Sequence, residues 1–225
     1  MVICPLQLNE CTTFISPKPK TVFIMAPSDS LKTTKCKQVL KEVNVSLSKN
    51  GFVPLEAAKI VEYGDYFCSI CRNLQSCAFG IAVVNEGIPI RTVANIFVEA
   101  GLMQGFGKPV ILLIDRKKNL PSDYIRTFVV YSNKKDYMSK FIELVKRIMD
   151  LEHYYSDQLG HFALRAGDYE KACKYYQEAF LIGANRSTLD KICEIISELK
   201  SQKDIPDSYK KRLVEGAEHF CKAVS

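Results

Sequence analysis

Residues 79–115 read FGIAVVNEGIPIRTVANIFVEAGLMQGFGKPVILLID. The run Phe79–Val84 is apolar throughout and breaks at the polar tip Asn85–Glu86–Gly87. ANIFVEAGLMQG then clusters Ile96, Phe97, Val98, Ala100, Leu102 and Met103, which predicts a helix, and KPVILLID is again nearly all apolar. Strands that do not alternate polar with apolar residues are buried on both faces, the mark of a parallel sheet. A strand–helix–strand unit in such a sheet crosses over with its helix on one face.

The neighbouring segments repeat the unit. TVFIMA (Thr21–Ala26) is a short β-branched run followed by PSDS, a turn and helix-start cluster. CKQVLKEVNVSLSKNG then places Val39, Leu40, Val43 and Leu47 at helical spacing, with Gly51 as its cap. FVPLEAA (Phe52–Ala58) reads as a second strand, which Pro54 pushes to an edge of the sheet. DYFCSICRNLQSCA is helical through Phe67, Ile70, Cys71 and Leu74; RTFVVYS (Arg126–Ser132) reads as a fifth strand, and YMSKFIELVKRIMDLEHYY as a long amphipathic helix.

In an open sheet of this kind a ligand sits at the carboxyl ends of the strands, where strand order reverses. Ser28–Asp29–Ser30 and Asn85–Glu86 each follow a strand directly, so both tips are expected on that edge. Glu99 is expected near the start of the next helix and on the same edge, with Asn95 as a helix N-cap or loop anchor.

After about residue 150 the pattern becomes helical only. GHFALRAGDYEKACKYYQEAFLIG resembles a tetratricopeptide-type hairpin, on Leu164, Gly167, Tyr169, Ala172, Tyr176 and Ala179 with a tight turn at Gly167–Asp168. One such hairpin cannot bury its own face. Helices over 189–200 and 208–224 are expected to complete a small bundle, either as a packing cap or as a surface for a protein partner. The expected organisation is a lead-in over 1–20, an α/β domain over 21–150 and a helical segment over 151–225.

Bulk properties narrow the function. The 225 residues carry a net charge of +6 with no long basic run, so nucleic acid is not the expected partner. No apolar run approaches the ~20 residues that span a bilayer, and MVICPLQLNECTTF lacks the pattern of a signal peptide. A cytoplasmic chain without membrane contact is expected. Its nine cysteines are then free thiols. Cys68 and Cys71 have CxxC spacing, but a second pair is missing and only three histidines occur, so two thiols on one helical turn is the favoured reading and no metal is expected.

Glu99 is the residue that asks for an explanation, being one carboxylate on an apolar helix. It either reaches water or a cation at the helix edge, with Lys108 or Arg91 as partner, or it is held in a pocket for chemistry. Asp29 has the same two readings, turn residue or ligand contact. Tyr63 and Tyr66 are read first as packing residues near an edge where an aromatic ring can stack on a base. His153 and His161 lie outside the expected pocket and are read as structural.

DYFCSICRNLQSCAFGIAVVNEG and ANIFVEAGLMQGFGKPVILLID resemble the superfamily that joins nucleoside 2-deoxyribosyltransferases to bacterial TIR-like domains. The resemblance rests on Asn95, Glu99, Gly101, Gly107, Lys108 and Pro109 in that order, with TVFIMAPSDS a looser match to the opening ligand loop, and it covers roughly residues 20–131. It implies a flavodoxin-like parallel sheet of about five strands with helices on both faces. It also implies a nucleotide or nucleoside N-glycosidase or ribosyltransferase in which Glu99 is the catalytic carboxylate. Ser28, Asp29 and Ser30 would touch sugar or phosphate and Asn85 the ribose or base; Tyr66 is a candidate for stacking on the base only through its place near the same edge. Arg91 stands where Asp, Ser or Gly is usual in the deoxyribosyltransferases; that leaves room for a phosphorylated substrate, a nucleoside monophosphate or NAD, with no separate cofactor. A homodimer is implied by the resemblance alone. The alternative it leaves open is a non-catalytic nucleotide sensor that signals through its C-terminal helices.

Overall fold

The computed structural model describes residues 15–60, 66–115, 128–202 and 205–224. Five strands, β1 (Thr21–Met25), β2 (Val53–Glu56), β3 (Phe79–Val84), β4 (Val110–Ile114) and β5 (Phe128–Tyr131), form one sheet in the order β2-β1-β3-β4-β5. Every pairing is parallel, and in register Ile24 lies opposite both Glu56 and Ile81, and Ile81 opposite Ile111. Four helices follow the strands: α1 (Thr34–Lys49), α2 (Tyr66–Ser76), α3 (Ile90–Gly105) and α4 (Tyr137–His153). This is the flavodoxin-like arrangement that the apolar runs and the family resemblance imply, with β2 on an edge where Pro54 loses no ladder bond to a second neighbour.

Two-residue periodicity divides the strands between two cores. Val22, Ile24, Phe79, Ile81, Val83, Ile111 and Leu113 pack with Val39, Val43, Leu47 of α1 and Phe141, Val145, Ile148 of α4. Phe23, Met25, Ala82, Val84, Leu112 and Ile114 pack with Ile70, Leu74 of α2 and Ile96, Ala100, Met103 of α3. Gly80 belongs to the second face by necessity: a Cβ there would stand 2.5 Å from Met103 Sδ and 2.6 Å from Met25 Cε, so its absence lets α3 close onto the strand.

One expectation is corrected here. The helix after β3 begins at Ile90, with Pro89 at its N-cap, so Asn95 is an exposed mid-helix residue and not a cap. Ile90, Thr92 and Val93 are β-branched and follow a proline, which disguises the first turn as extended chain, although proline at a helix start is well tolerated. The long amphipathic helix read over YMSKFIELVKRIMDLEHYY is present and continues further. α4 runs on through a π-helical segment (Tyr154–Gly160) into α5 (His161–Arg165), so the first arm of the tetratricopeptide-like hairpin continues the last helix of the sheet region.

The expected turn is present. Gly167 has φ +73° and Asp168 caps α6 (Tyr169–Gly183), accepting from Lys171 N at 3.1 Å. α7 (Arg186–Ser201) and α8 (Asp207–Val224) supply the neighbour that the hairpin needs. Tyr169, Ala172, Tyr176 and Phe180 of α6 share a core with Ile192, Ile196 and Leu199 of α7 and with Ala217 and Phe220 of α8. The bundle docks at one end of the sheet. Lys20, just before β1, donates its N–H to the Leu181 carbonyl at 2.8 Å; Lys108, just before β4, pairs with Glu178; and Leu181 and Ile182 enter the α1/α4 core. The C-terminal helices therefore close the amino ends of the strands and leave the carboxyl ends to the loops.

Candidate functional site

Strand order reverses between β1 and β3, because β1 leads out to β2 on one side and β3 to β4 on the other. The edge of the sheet above that switch point holds the two tips singled out in the sequence. They also meet there. Gly87 of the β3–α3 loop has φ +84°, and a Cβ on it would lie 3.1 Å from the Thr33 methyl at the N-cap of α1.

The β1 tip is a short 3-10 turn, Asp29–Leu31, with Ser28, Asp29 and Ser30 all exposed. Ser28 Oγ and Ser30 Oγ are 3.3 Å apart. Asp29 accepts from Lys32 Nζ at 2.8 Å; this hydrogen bond and the lysine charge hold its carboxyl below the usual range. Lys32 is shared with Glu56 at the end of β2, 2.7 Å away, and Glu56 also meets Lys59 at 2.7 Å. Asp29 is thus one pole of a small charge network, with its outer edge in solvent.

α1 then opens on Thr33, whose hydroxyl accepts from Cys36 N at 3.1 Å. Its first turn contains no acid, although acids are favoured at a helix N-terminus. Lys32, Lys35 and Lys37 surround that end instead. Lys32 and Lys35 are balanced there by Asp29, Glu56 and Asp115, so the exposed Lys37 and the helix N-terminus itself are what would meet a phosphate.

Asn85 is fully buried at the tip of β3. Its Nδ2 donates to Ser132 Oγ at 3.1 Å, while its Oδ1 has neither a hydrogen-bond partner nor contact with solvent. Turning the amide over leaves one end unpaired just the same. Beside it, Asp115 follows β4, donates its N–H to the Val84 carbonyl at 3.0 Å and places a buried carboxylate 2.5 Å from Lys35 Nζ. Ser132 follows β5 and donates its N–H to the Ile114 carbonyl at 2.9 Å. The first polar residues after β3, β4 and β5 therefore stand side by side. Asp115, Ser132 and Lys35 were not among the residues expected from sequence, although position alone, the first polar residue after each apolar run, marks Asp115 and Ser132.

Glu99 is the tenth residue of α3, not one of its first. At 1.5 Å per residue it lies about 14 Å along the axis from Ile90. It stands where the buried face of Ile96, Ala100 and Met103 gives way to the exposed face of Arg91, Asn95 and Val98. Burial pushes its carboxyl up to about 7, and desolvation is the sole cause. No hydrogen bond or ion pair joins Glu99 to another described residue. Lys108, one of the two cations considered for it, lies 2.8 Å from Glu178. Arg91, the other, is exposed on the second residue of α3.

The structure thus gathers Ser28, Asp29 and Ser30 at one tip and Asn85 with Ser132, Asp115 and Lys35 at the next. No hydrogen bond or ion pair links these to Glu99 or Arg91. Tyr66 opens α2; its side chain, like Tyr63, Cys4, Cys11 and the Arg126–Thr127 start of the expected fifth strand, lies outside the described residues. His153 and His161 line a cleft of about 520 Å³ beside the π-helical segment, with His153 Nδ1 3.4 Å from Asp157. Cys68 and Cys71 lie on α2, and among the described residues no three His, Cys, Asp or Glu side chains are grouped to hold a metal ion. Among the described residues no helix is long and apolar enough to cross a membrane.

No protein-family model matches the chain, and no curated protein matches it significantly. The fold defines a class: a flavodoxin-like α/β protein with polar loops and lysines at the switch point of its sheet and a helical bundle at the opposite end.

Proposed function

We propose that this chain breaks the N-glycosidic bond of a nucleotide, NAD or a nucleoside monophosphate, releasing the base to water or transferring the ribosyl group, with Glu99 as the acting carboxylate. The observation that carries the reading is Glu99 itself: a desolvated carboxyl on a rigid helix, without a described partner, whose proton affinity is raised to about 7. Strongly perturbed carboxyls of this kind concentrate at working sites. Glycosidic cleavage develops positive charge at the anomeric carbon, and a carboxylate held next to it stabilises that charge or traps the sugar as a covalent ester while the base leaves. The acid-free N-terminus of α1 with Lys37 beside it supports a phosphorylated substrate, and a ligand that opens the β3 tip would meet the unpaired end of the buried Asn85 amide with its ribose or base. A cytoplasmic location is part of the same proposal.

Purified protein incubated with NAD and a panel of nucleosides and nucleotides, read by chromatography for free base, tests it. Base release that disappears in Glu99→Gln is the expected result. Equal turnover by the variant on every accepted substrate would overturn the assignment of Glu99.

A second reading is favoured by one contact. α3 carries Glu99, and three residues past its end Lys108 is paired with Glu178 of the helical bundle. A nucleotide that shifts α3 would pull on the bundle, and the chain would act as a sensor. Nucleotide binding without base release separates the two readings.

A further inference from the structure

The bundle carries a feature that glycosidic chemistry does not use. Cys193 of α7 and Cys221 of α8 bring their Sγ atoms within 3.5 Å of each other. Cys193 is exposed and Cys221 is half-buried, whereas Cys36, Cys71, Cys77 and Cys173 are buried. Accessibility and a second sulfur in contact distance are the two conditions for a thiol that is oxidised reversibly rather than destroyed. A disulfide has its sulfurs about 2.05 Å apart, so closure needs a further approach of about 1.5 Å, within reach of χ1 adjustments on two helices.

We propose that Cys193 and Cys221 form a redox modification site, in which a hydroperoxide converts the pair into an intramolecular disulfide that staples the last helix, α8, to α7. The Cys193 sulfur attacks one peroxide oxygen; the O–O bond breaks, an alcohol or water leaves, and Cys193 becomes a sulfenic acid. The Cys221 sulfur then attacks the Cys193 sulfur, the S–O bond breaks, and the hydroxyl leaves as water with the Cys221 proton. The two thiols lose two electrons and the hydroperoxide gains them. Burial together with the adjacent Cys193 sulfur holds the Cys221 thiol up at about 12, which fits Cys221 as the resolving partner and Cys193 as the group that meets the oxidant. The staple joins elements that already share a core through Ile192, Ile196, Ala217 and Phe220, and α8 is the element that closes the bundle.

The reduced full-length chain is treated with hydrogen peroxide at a one-to-one ratio and digested without reductant. The expected outcome is a cross-linked peptide containing Cys193 and Cys221, loss of two of the nine thiols in a denatured titration, a rise of several degrees in Tm, and full reversal by dithiothreitol. Cys221→Ser must lose the cross-link and instead carry oxygen on Cys193. Cys193→Ser, at an exposed position, must fold as the parent does when reduced and show no peroxide-dependent rise in Tm. Oxidation of Cys193 to the sulfinic acid in the parent without any cross-link would overturn the proposal, and so would a cross-link that joins Cys221 to Cys173.

Discussion

The Lys108 ammonium lies 2.8 Å from the Glu178 carboxylate, and that pairing settles where the cation nine residues past Glu99 goes. The Lys108 side chain is only 2% exposed and that of Glu178 15%. The contact binds the turn that follows α3 to α6, whereas the carboxylate on α3 stays desolvated without a described cation beside it. One helix therefore has its far end tied to the bundle and its middle loaded with a group that water would hold better.

That arrangement costs stability, and the sign follows from the proton. Above pH 4.5 an unfolded Glu99 has lost its proton, but the folded form keeps it to about 7. Folding takes up a proton across that window, so the contribution of Glu99 to stability worsens as pH rises from 4.5 to 7 and is at its worst above 7. Glu99→Gln removes the effect. At pH 8 the variant is expected to be more stable than the parent by on the order of 2–3 kcal/mol, a Tm gain of about 5–10 °C. At pH 4.5 the two should unfold together. Thermal unfolding at both pH values checks this, and equal Tm values at pH 8 would show that Glu99 is ionised without penalty.

A second pH dependence belongs to turnover. A carboxylate that stabilises an oxocarbenium-like centre must be ionised. With the free protein's Glu99 titrating at about 7, kcat/KM for base release is expected to climb roughly tenfold per pH unit below that value and level off above it. A profile flat between pH 5.5 and 8 would assign the chemistry to another group.

The Lys108–Glu178 pair predicts an asymmetry. Lys108→Met leaves the largely buried Glu178 carboxylate without its cation and is expected to cost about 3 kcal/mol, whereas the double variant Lys108→Met with Glu178→Leu should recover most of it. Urea unfolding of the three proteins measures the difference. A double variant as unstable as the single one would mean that Glu178 is not what the lysine serves.

The order of elements was legible because each strand is a continuous apolar run and each helix repeats at 3.6 residues; β1, β3 and β4 stand where those runs stand. What misled was local chemistry overridden by context. Pro89 and three β-branched residues hide the first turn of α3, and this moved Glu99 from the helix start to its middle. Lys108 gives no local sign of Glu178, seventy residues on. The tips Ser28–Ser30 and Asn85 could be placed from topology alone. Lys35 could not, because its value depends on Asp115, eighty residues away, and on the loss of acids from the first turn of α1.

Asn85 offers the sharpest separation of folding from binding. A buried amide with one end unpaired is a cost that folding bears without return, so the polar group is explained better by a ligand than by the core. Replacing Asn85 with Leu while replacing its partner Ser132 with Ala removes both the orphaned end and the hydroxyl that would be left behind. The double variant is expected to stay within about 1 kcal/mol of the parent in stability, since matched removal of both partners is nearly neutral. Binding must respond differently. A nucleotide that raises the parent's Tm should do so by mass action, and the shift should fall to a small fraction in the variant at the same ligand concentration. Thermal shift with NAD and with nucleoside monophosphates reads both quantities at once. An undiminished ligand shift would place Asn85 in the scaffold, and a large loss of stability without ligand would show that the amide serves the fold.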